Sequence, residues 1–166
     1  MTKERLLMVC KTHAFEPSGS QAADLKFRRL LTPADGQLLG RLMFAAYAGS
    51  IDDEGETEDQ TIEEAEATLA GKYGKPILEA SFIAFEKDRP ISAVVLTDYE
   101  KTGPLLAFSV TDPQYQRQGL AALLIKCALN GLHELKIPEL RLVVTAENPA
   151  AILYRKLGFE VETPGD

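Results

Sequence analysis

The strongest constraint on the fold is a change of hydrophobic period in the second half of the chain. Ser81 to Phe85, Ile91 to Thr97 and Leu105 to Val110 are short runs rich in β-formers. The first two are joined by Lys87-Asp88-Arg89-Pro90, which reads as a hairpin, and the third follows the turn Thr102-Gly103-Pro104. At 119–135 the period becomes helical, with Leu120, Leu123, Leu124, Cys127, Leu129 and Leu132 forming one apolar surface. Leu140 to Thr145 is an apolar run of the kind buried on both faces of a sheet. Pro149 to Lys156 predicts a short helix ended by Gly158, and Phe159 to Val161 a last strand.

The first half adds two helices. Leu25, Phe27 and Leu30 predict a strand ending at Leu31, and Thr32-Pro33-Ala34-Asp35 reads as a helix start, with Thr32 as cap, Pro33 in the first turn and Asp35 against the positive helix end. Leu38, Leu39, Leu42, Met43, Ala46 and Tyr47 then recur at helical spacing up to Gly49. A second helix is expected near Thr61, with Glu64 completing a capping box, and to stop before Gly74 and Pro76. Between the helices, 52–59 holds six acidic residues, a density that keeps the segment in solvent. The order β-α-α-β-β-β-α-β-α-β implies an α/β fold with a mixed central sheet flanked by helices. Residues 1–23 read as an N-terminal extension of open role, with a short strand at Arg5 to Lys11 and a loop at 16–21, and residues 24–166 as the domain.

Composition removes several function classes. With 18 basic and 25 acidic residues the net charge is −7, so no basic face is available for nucleic-acid phosphates. The early apolar run Leu6 to Cys10 is too short for a signal or a membrane span, and the expected location is the cytoplasm. Cys10 and Cys127 lack the spacing of metal ligands, so two reduced thiols and no metal are expected.

Two segments carry chemistry. Val110-Thr111-Asp112-Pro113 ends a strand, and Gln116-Arg117-Gln118-Gly119-Leu120-Ala121 opens the long helix. A helix start offers free N–H groups and partial positive charge to a phosphate, Gly119 and Ala121 let a ligand approach the backbone, and Arg117 adds a full charge. The second segment runs from Asn148 through Tyr154 to Gly158-Phe159, after the buried strand. Asn148 is suited to cap the following helix.

With these two motifs, in this order and each after a strand, the chain resembles the GCN5-related N-acetyltransferase (GNAT) family from about Leu25 to Thr163. The resemblance implies acetyl-CoA as co-substrate, its pyrophosphate held by the backbone of Gln116, Arg117, Gln118, Gly119, Leu120 and Ala121. It implies that Phe108, Ser109 and Val110 pair with the pantetheine arm where a bulge splays two strands, with Asn148 as a further contact. Tyr154 becomes the general acid for the departing thiolate, and the acceptor a small-molecule or peptide amine that attacks the thioester directly. The family often uses a strand glutamate as base, but Phe108 and Ser109 carry no carboxylate, leaving Glu79, Glu86, Asp98 and Glu100 as candidates. The acidic stretch would border the acceptor site. Homodimers are frequent in the family. A non-catalytic acyl-CoA-binding regulatory module on the same fold is the alternative.

Overall fold

The computed structural model describes residues 3–14, 25–30, 34–51 and 53–163. The expected loop at 16–21 and the Thr32-Pro33 helix start lie outside these residues. Within them, eight strands form one sheet: β1 (Arg5–Lys11), β2 (Leu25–Arg29), β3 (Lys75–Pro76), β4 (Phe82–Glu86), β5 (Arg89–Tyr99), β6 (Gly103–Thr111), β7 (Glu139–Thr145) and β8 (Glu160–Val161). Their spatial order is β2-β4-β5-β6-β7-β1-β8, with β3 also pairing β5. Every pairing is antiparallel except β6 with β7. Arg5–Lys11 thus lies inside the sheet, flanked by β7 and β8.

Helices α1 (Gly36–Tyr47) and α2 (Glu58–Leu69) cover one face, and α3 (Leu120–Glu134) and α4 (Ala150–Lys156) the other. Strand β5 serves both layers because its side chains alternate. Val94 and Leu96 join the core under α3, while Ala93 and Val95 join the core under α1 and α2. Leu124, Ile125, Leu129 and Leu132 of α3 are fully buried, each contributing about 1.5–3 kcal/mol of burial.

The structure corrects three local expectations. Helix α2 starts at Glu58, where Thr57 and Gln60 form the capping box, so Glu64 lies mid-helix and is engaged elsewhere. Asp35 makes no side-chain cap to α1; it is buried and receives both guanidinium nitrogens of Arg28, at 2.7 and 2.9 Å. A buried carboxylate is served better by a bidentate cation than by a helix end. Strand β7 is buried on one face only. Leu140, Leu142 and Val144 pack under α3, but Val143 is 48% exposed, because the core under α1 and α2 reaches no further than β6.

Helices α1 and α2 meet at Gly40, where an added Cβ would stand 2.4 Å from the Ile62 Cα. Gly40→Ala must therefore separate the two backbones. We expect a loss of roughly 2–4 kcal/mol of unfolding free energy, read by urea denaturation against the wild type.

Candidate acyl-CoA and acceptor cleft

The cleft begins with two defects in the sheet. Val95 of β5 faces Phe108, but the next residue, Leu96, faces Leu106, so Ala107 is an extra residue that bends β6. Strands β6 and β7 then meet in register at one pair, Leu105 with Arg141. Beyond it they diverge, leaving a cleft of about 1140 Å³ with the edge of β6 along one wall. A strand edge without a partner presents N–H and C=O groups that an extended amide-bearing chain can satisfy.

At the end of that edge the chain turns into α3. Gly119 is the cap residue, at φ +80° and without a side chain to cover the helix start, and a Cβ there would meet nothing within 4 Å. Arg117 also has a left-handed backbone, at φ +65°, a conformation that costs a non-glycine residue about 1 kcal/mol or more. The first-turn N–H groups of α3 have no partner inside the helix, and space lies open above them. The turn therefore fits a diphosphate on physical grounds.

Nearly all the residues singled out from the sequence reach this cleft. Phe108, Ser109, Val110, Gln116, Arg117, Gly119, Leu120, Ala121, Asn148 and Tyr154 line it, whereas Gln118 does not. Asn148 Oδ1 accepts from the Ala150 N–H at 2.9 Å, which is the expected capping contact at the start of α4. Tyr154 is 8% exposed and packs edge-on against Phe159, with ring centroids 6.0 Å apart. The proton acceptors considered from the sequence do not reach the wall: Glu79, Glu86, Asp98 and Glu100 are all outside it. Among the described residues Glu54 is the carboxylate that lines the cleft.

Sequence reasoning missed the groups that hold the turn. Asp112 is buried and accepts from the Gln114 N–H at 2.9 Å and from Arg89 Nη2 at 2.8 Å. Tyr115 donates to the Glu86 carboxylate, and the Arg89 guanidinium lies 5.9 Å from the Tyr115 ring centroid. The hydrogen bond to Glu86 pushes the Tyr115 phenol up from its ordinary value. The β4–β5 hairpin thereby holds the segment that leads into the left-handed turn. No spacing rule could pair Arg89 with Asp112, since they meet only because β5 and β6 are antiparallel.

The far end of the cleft is aromatic. Tyr47, Tyr73 and Tyr99 line it, from the end of α1, the turn before β3 and the end of β5. Tyr73 meets Tyr99 edge-on at 6.1 Å and donates to Glu64 at 2.7 Å, while Lys72 donates to the other Glu64 oxygen at 2.7 Å. Burial would raise the Glu64 carboxyl, but the bonds from Lys72 and Tyr73 outweigh it and hold the group below its ordinary value. Tyr73 is pushed up, first by burial and then by Glu64, so it is a neutral hydroxyl fixed by a charged hydrogen bond.

The comparisons with known proteins agree with this architecture. The family model for the acetyltransferase (GNAT) domain matches residues 78–161. The chain is 44% identical over 70 residues to a mycothiol acetyltransferase of Thermobifida fusca, covering 40% of this chain and 20% of that one. It is 32% identical over 100 residues to the [ribosomal protein bS18]-alanine N-acetyltransferase of Escherichia coli, covering 60% of this chain and 66% of that one. The matched stretches thus span a fifth and just under two thirds of these relatives. Among solved structures, a GCN5-related N-acetyltransferase from Sphaerobacter thermophilus superposes with a TM-score of 0.71 at 14% identity, over 95% of this chain and 48% of that one. The ribosomal-protein-S18-alanine N-acetyltransferase from Escherichia coli gives 0.63 at 24%, over 84% and 79%. These structural likenesses establish the shared fold, and the family model covers more than half of the chain, including both motifs at the cleft. The chain belongs to the GNAT acetyltransferase family.

Proposed function

We propose that the protein is an N-acetyltransferase that moves the acetyl group of acetyl-CoA to an amine by direct attack in a ternary complex. One observation carries this reading: the free edge of β6, exposed by the bulge at Ala107, and the open start of α3 line one cleft, joined by the short segment that Asp112 and Tyr115 hold in place. That arrangement suits a ligand with an amide-bearing arm attached to a diphosphate. Phe108, Ser109 and Val110 would lie along the arm, and the backbone from Gln116 to Ala121 would hold the diphosphate. Bound acetyl-CoA supplies the activated thioester, and the protein's part is to orient it, exclude water and move protons.

Direct attack is supported by the thiols. Burial pushes both Cys10 and Cys127 up from the ordinary thiol value, and neither lines the cleft. A protonated thiol away from the reacting carbon is a poor acyl acceptor. Tyr154, buried at the cleft wall, is the proposed donor to the departing thiolate. Reference values near 8.5 for a thiol and 10 for a phenol put that transfer only about 2 kcal/mol uphill. An aliphatic ammonium must lose its proton before attack, and Glu54 is the carboxylate positioned at the cleft to attract the amine and take that proton. One relative is by its name an N-acetyltransferase acting on a ribosomal-protein alanine, which supports an amine acceptor here.

A thermal-shift titration paired with a free-thiol assay over an amine panel tests the reading. If the dissociation constant is about 10 µM, 1 mM acetyl-CoA stabilises the native state by roughly 2.7 kcal/mol, a rise of about 5–11 °C. No shift at millimolar ligand would remove the assignment, and a shift without thiol release on any amine would leave a non-catalytic acyl-CoA-binding module. Tyr154→Phe is expected to lower kcat about a hundredfold with little change in the acetyl-CoA KM; unchanged turnover would take the tyrosine out of the mechanism. Glu54→Gln is expected to raise the acceptor KM about threefold to tenfold and to flatten its dependence on ionic strength. Equal salt dependence in both proteins would exclude Glu54 from amine recruitment.

A further inference from the structure

The N-terminal strand brings to the α1–α2 side of the cleft a cation that the reaction above does not use. Along β1 the side chains alternate. Leu6, Met8 and Cys10 pack into the core beneath α3 and α4, so Arg5, Leu7 and Val9 belong to the opposite face. That is the face of α1 and α2, on the far side of the sheet from the α3 turn. Arg5 pairs with Thr145, at the end of β7 where the strands have parted, and lines the same cleft as Glu54 and the three tyrosines. Lys3, two residues earlier and on the same side, donates to the Ile51 carbonyl in the α1–α2 connection, tying this end of β1 across to the acceptor wall. Among the described residues no ion pair uses Arg5 or Lys3. Three other strand arginines differ, since Arg28, Arg89 and Arg141 each have a carboxylate at 2.7–2.8 Å, while Arg29 of β2 donates to the Glu79 carbonyl at 3.3 Å.

We propose that Arg5 anchors an acid group on the acceptor, so that the acceptor is an amine that also carries a carboxylate. This rests on the acetyl-transfer reading and names the substrate class of the same site. The chemistry fits the surroundings. A guanidinium offers a planar fork that matches a carboxylate in two parallel hydrogen bonds. Glu54 in the same cleft repels an acid but attracts an ammonium. An amine without an acid group would leave Arg5 unmatched, and an acid without an amine would leave Glu54 unmatched. Arg5 and Arg117 line the same cleft, but Arg5 stands on the α1–α2 face, where Lys3 donates to Ile51, and the α3 turn lies on the other face.

The test uses the full chain and matched pairs of probes: each of the twenty L-amino acids with its carboxamide, and 4-aminobutyrate and 6-aminohexanoate with theirs. Thiol release from acetyl-CoA gives kcat/KM for each. At least one acid should exceed its carboxamide by about tenfold or more, the range expected for a hydrogen bond to a charged group. Arg5→Gln should bring that ratio to within twofold of unity, Arg5→Lys should keep part of it, and the acetyl-CoA KM should stay put in both. No acid preferred over its carboxamide, or a preference that survives Arg5→Gln, overturns the proposal. So does a rise in the acetyl-CoA KM with the ratio intact, which would assign Arg5 to the cofactor. A second readout needs no turnover: the NMR resonance of the Arg5 Nε–H should shift on titration with the preferred acid and not with its carboxamide. Absence of that shift overturns the proposal even where other amines are acetylated. Absence of any acetyl-CoA thermal shift instead overturns the acetyl-transfer reading, and the Arg5 resonance is then titrated with every acid and carboxamide of the panel, where no acid-specific shift overturns the proposal as well.

Discussion

The parting of β6 from β7 is the constraint on which the rest of this molecule depends. Two parallel strands that share one registered pair cannot complete their ladder, and the unmade hydrogen bonds must be met by something else. Ala107 is the local cause on the β6 side, since an inserted residue bends the strand away from its neighbour. All the residues assigned to the site except Gln118 line the resulting gap. The strand edge forms one wall, the α3 turn one end, Tyr154 of α4 a side, and the tyrosines of the α1–α2 layer the other end.

Such a gap would be a weakness in a sheet that were not braced from both faces. Here the bracing is specific. Leu124, Ile125, Leu129 and Leu132 fix α3 beneath β5 and β6, and Arg89, Asp112, Tyr115 and Glu86 hold the segment between β6 and α3 from the neighbouring hairpin. The left-handed backbone at Arg117 is maintained by this surrounding order and not by its own preference. On the other side of the gap, β7 is supported by β1, seven paired residues long, so the N-terminal segment supplies half of the frame.

Much of this was legible in the sequence for identifiable reasons. Strand β5 and helix α3 announce themselves because their hydrophobic periods are long and unmixed, and their boundaries came within two residues of those observed. Asn148 was readable as a cap because an Asn-Pro pair before an apolar helical run has few other uses. Helix α2 was placed late because Thr61 and Glu64 copy the capping signature of Thr57 and Gln60, and a local pattern cannot choose between two equal copies. The expectation that β7 is covered on both faces fails because apolar content reports what a strand can bury, whereas coverage depends on how far the neighbouring helices reach.

The sequence by itself determined the element types, the phosphate-compatible turn at Gly119 and the capped helix bearing Tyr154, because each depends on residues within a few positions of one another. Tertiary structure decided the rest. It put β1 between β7 and β8, set Arg89 on Asp112, and gathered Tyr47, Tyr73, Tyr99, Glu54 and Arg5 around one opening. These groups lie far apart along the chain, and only the order of strands in the sheet and the reach of its two helical layers bring them together. The physical reason is that hydrophobic and capping signals act locally, whereas the partners of a charge or a hydroxyl are chosen by packing.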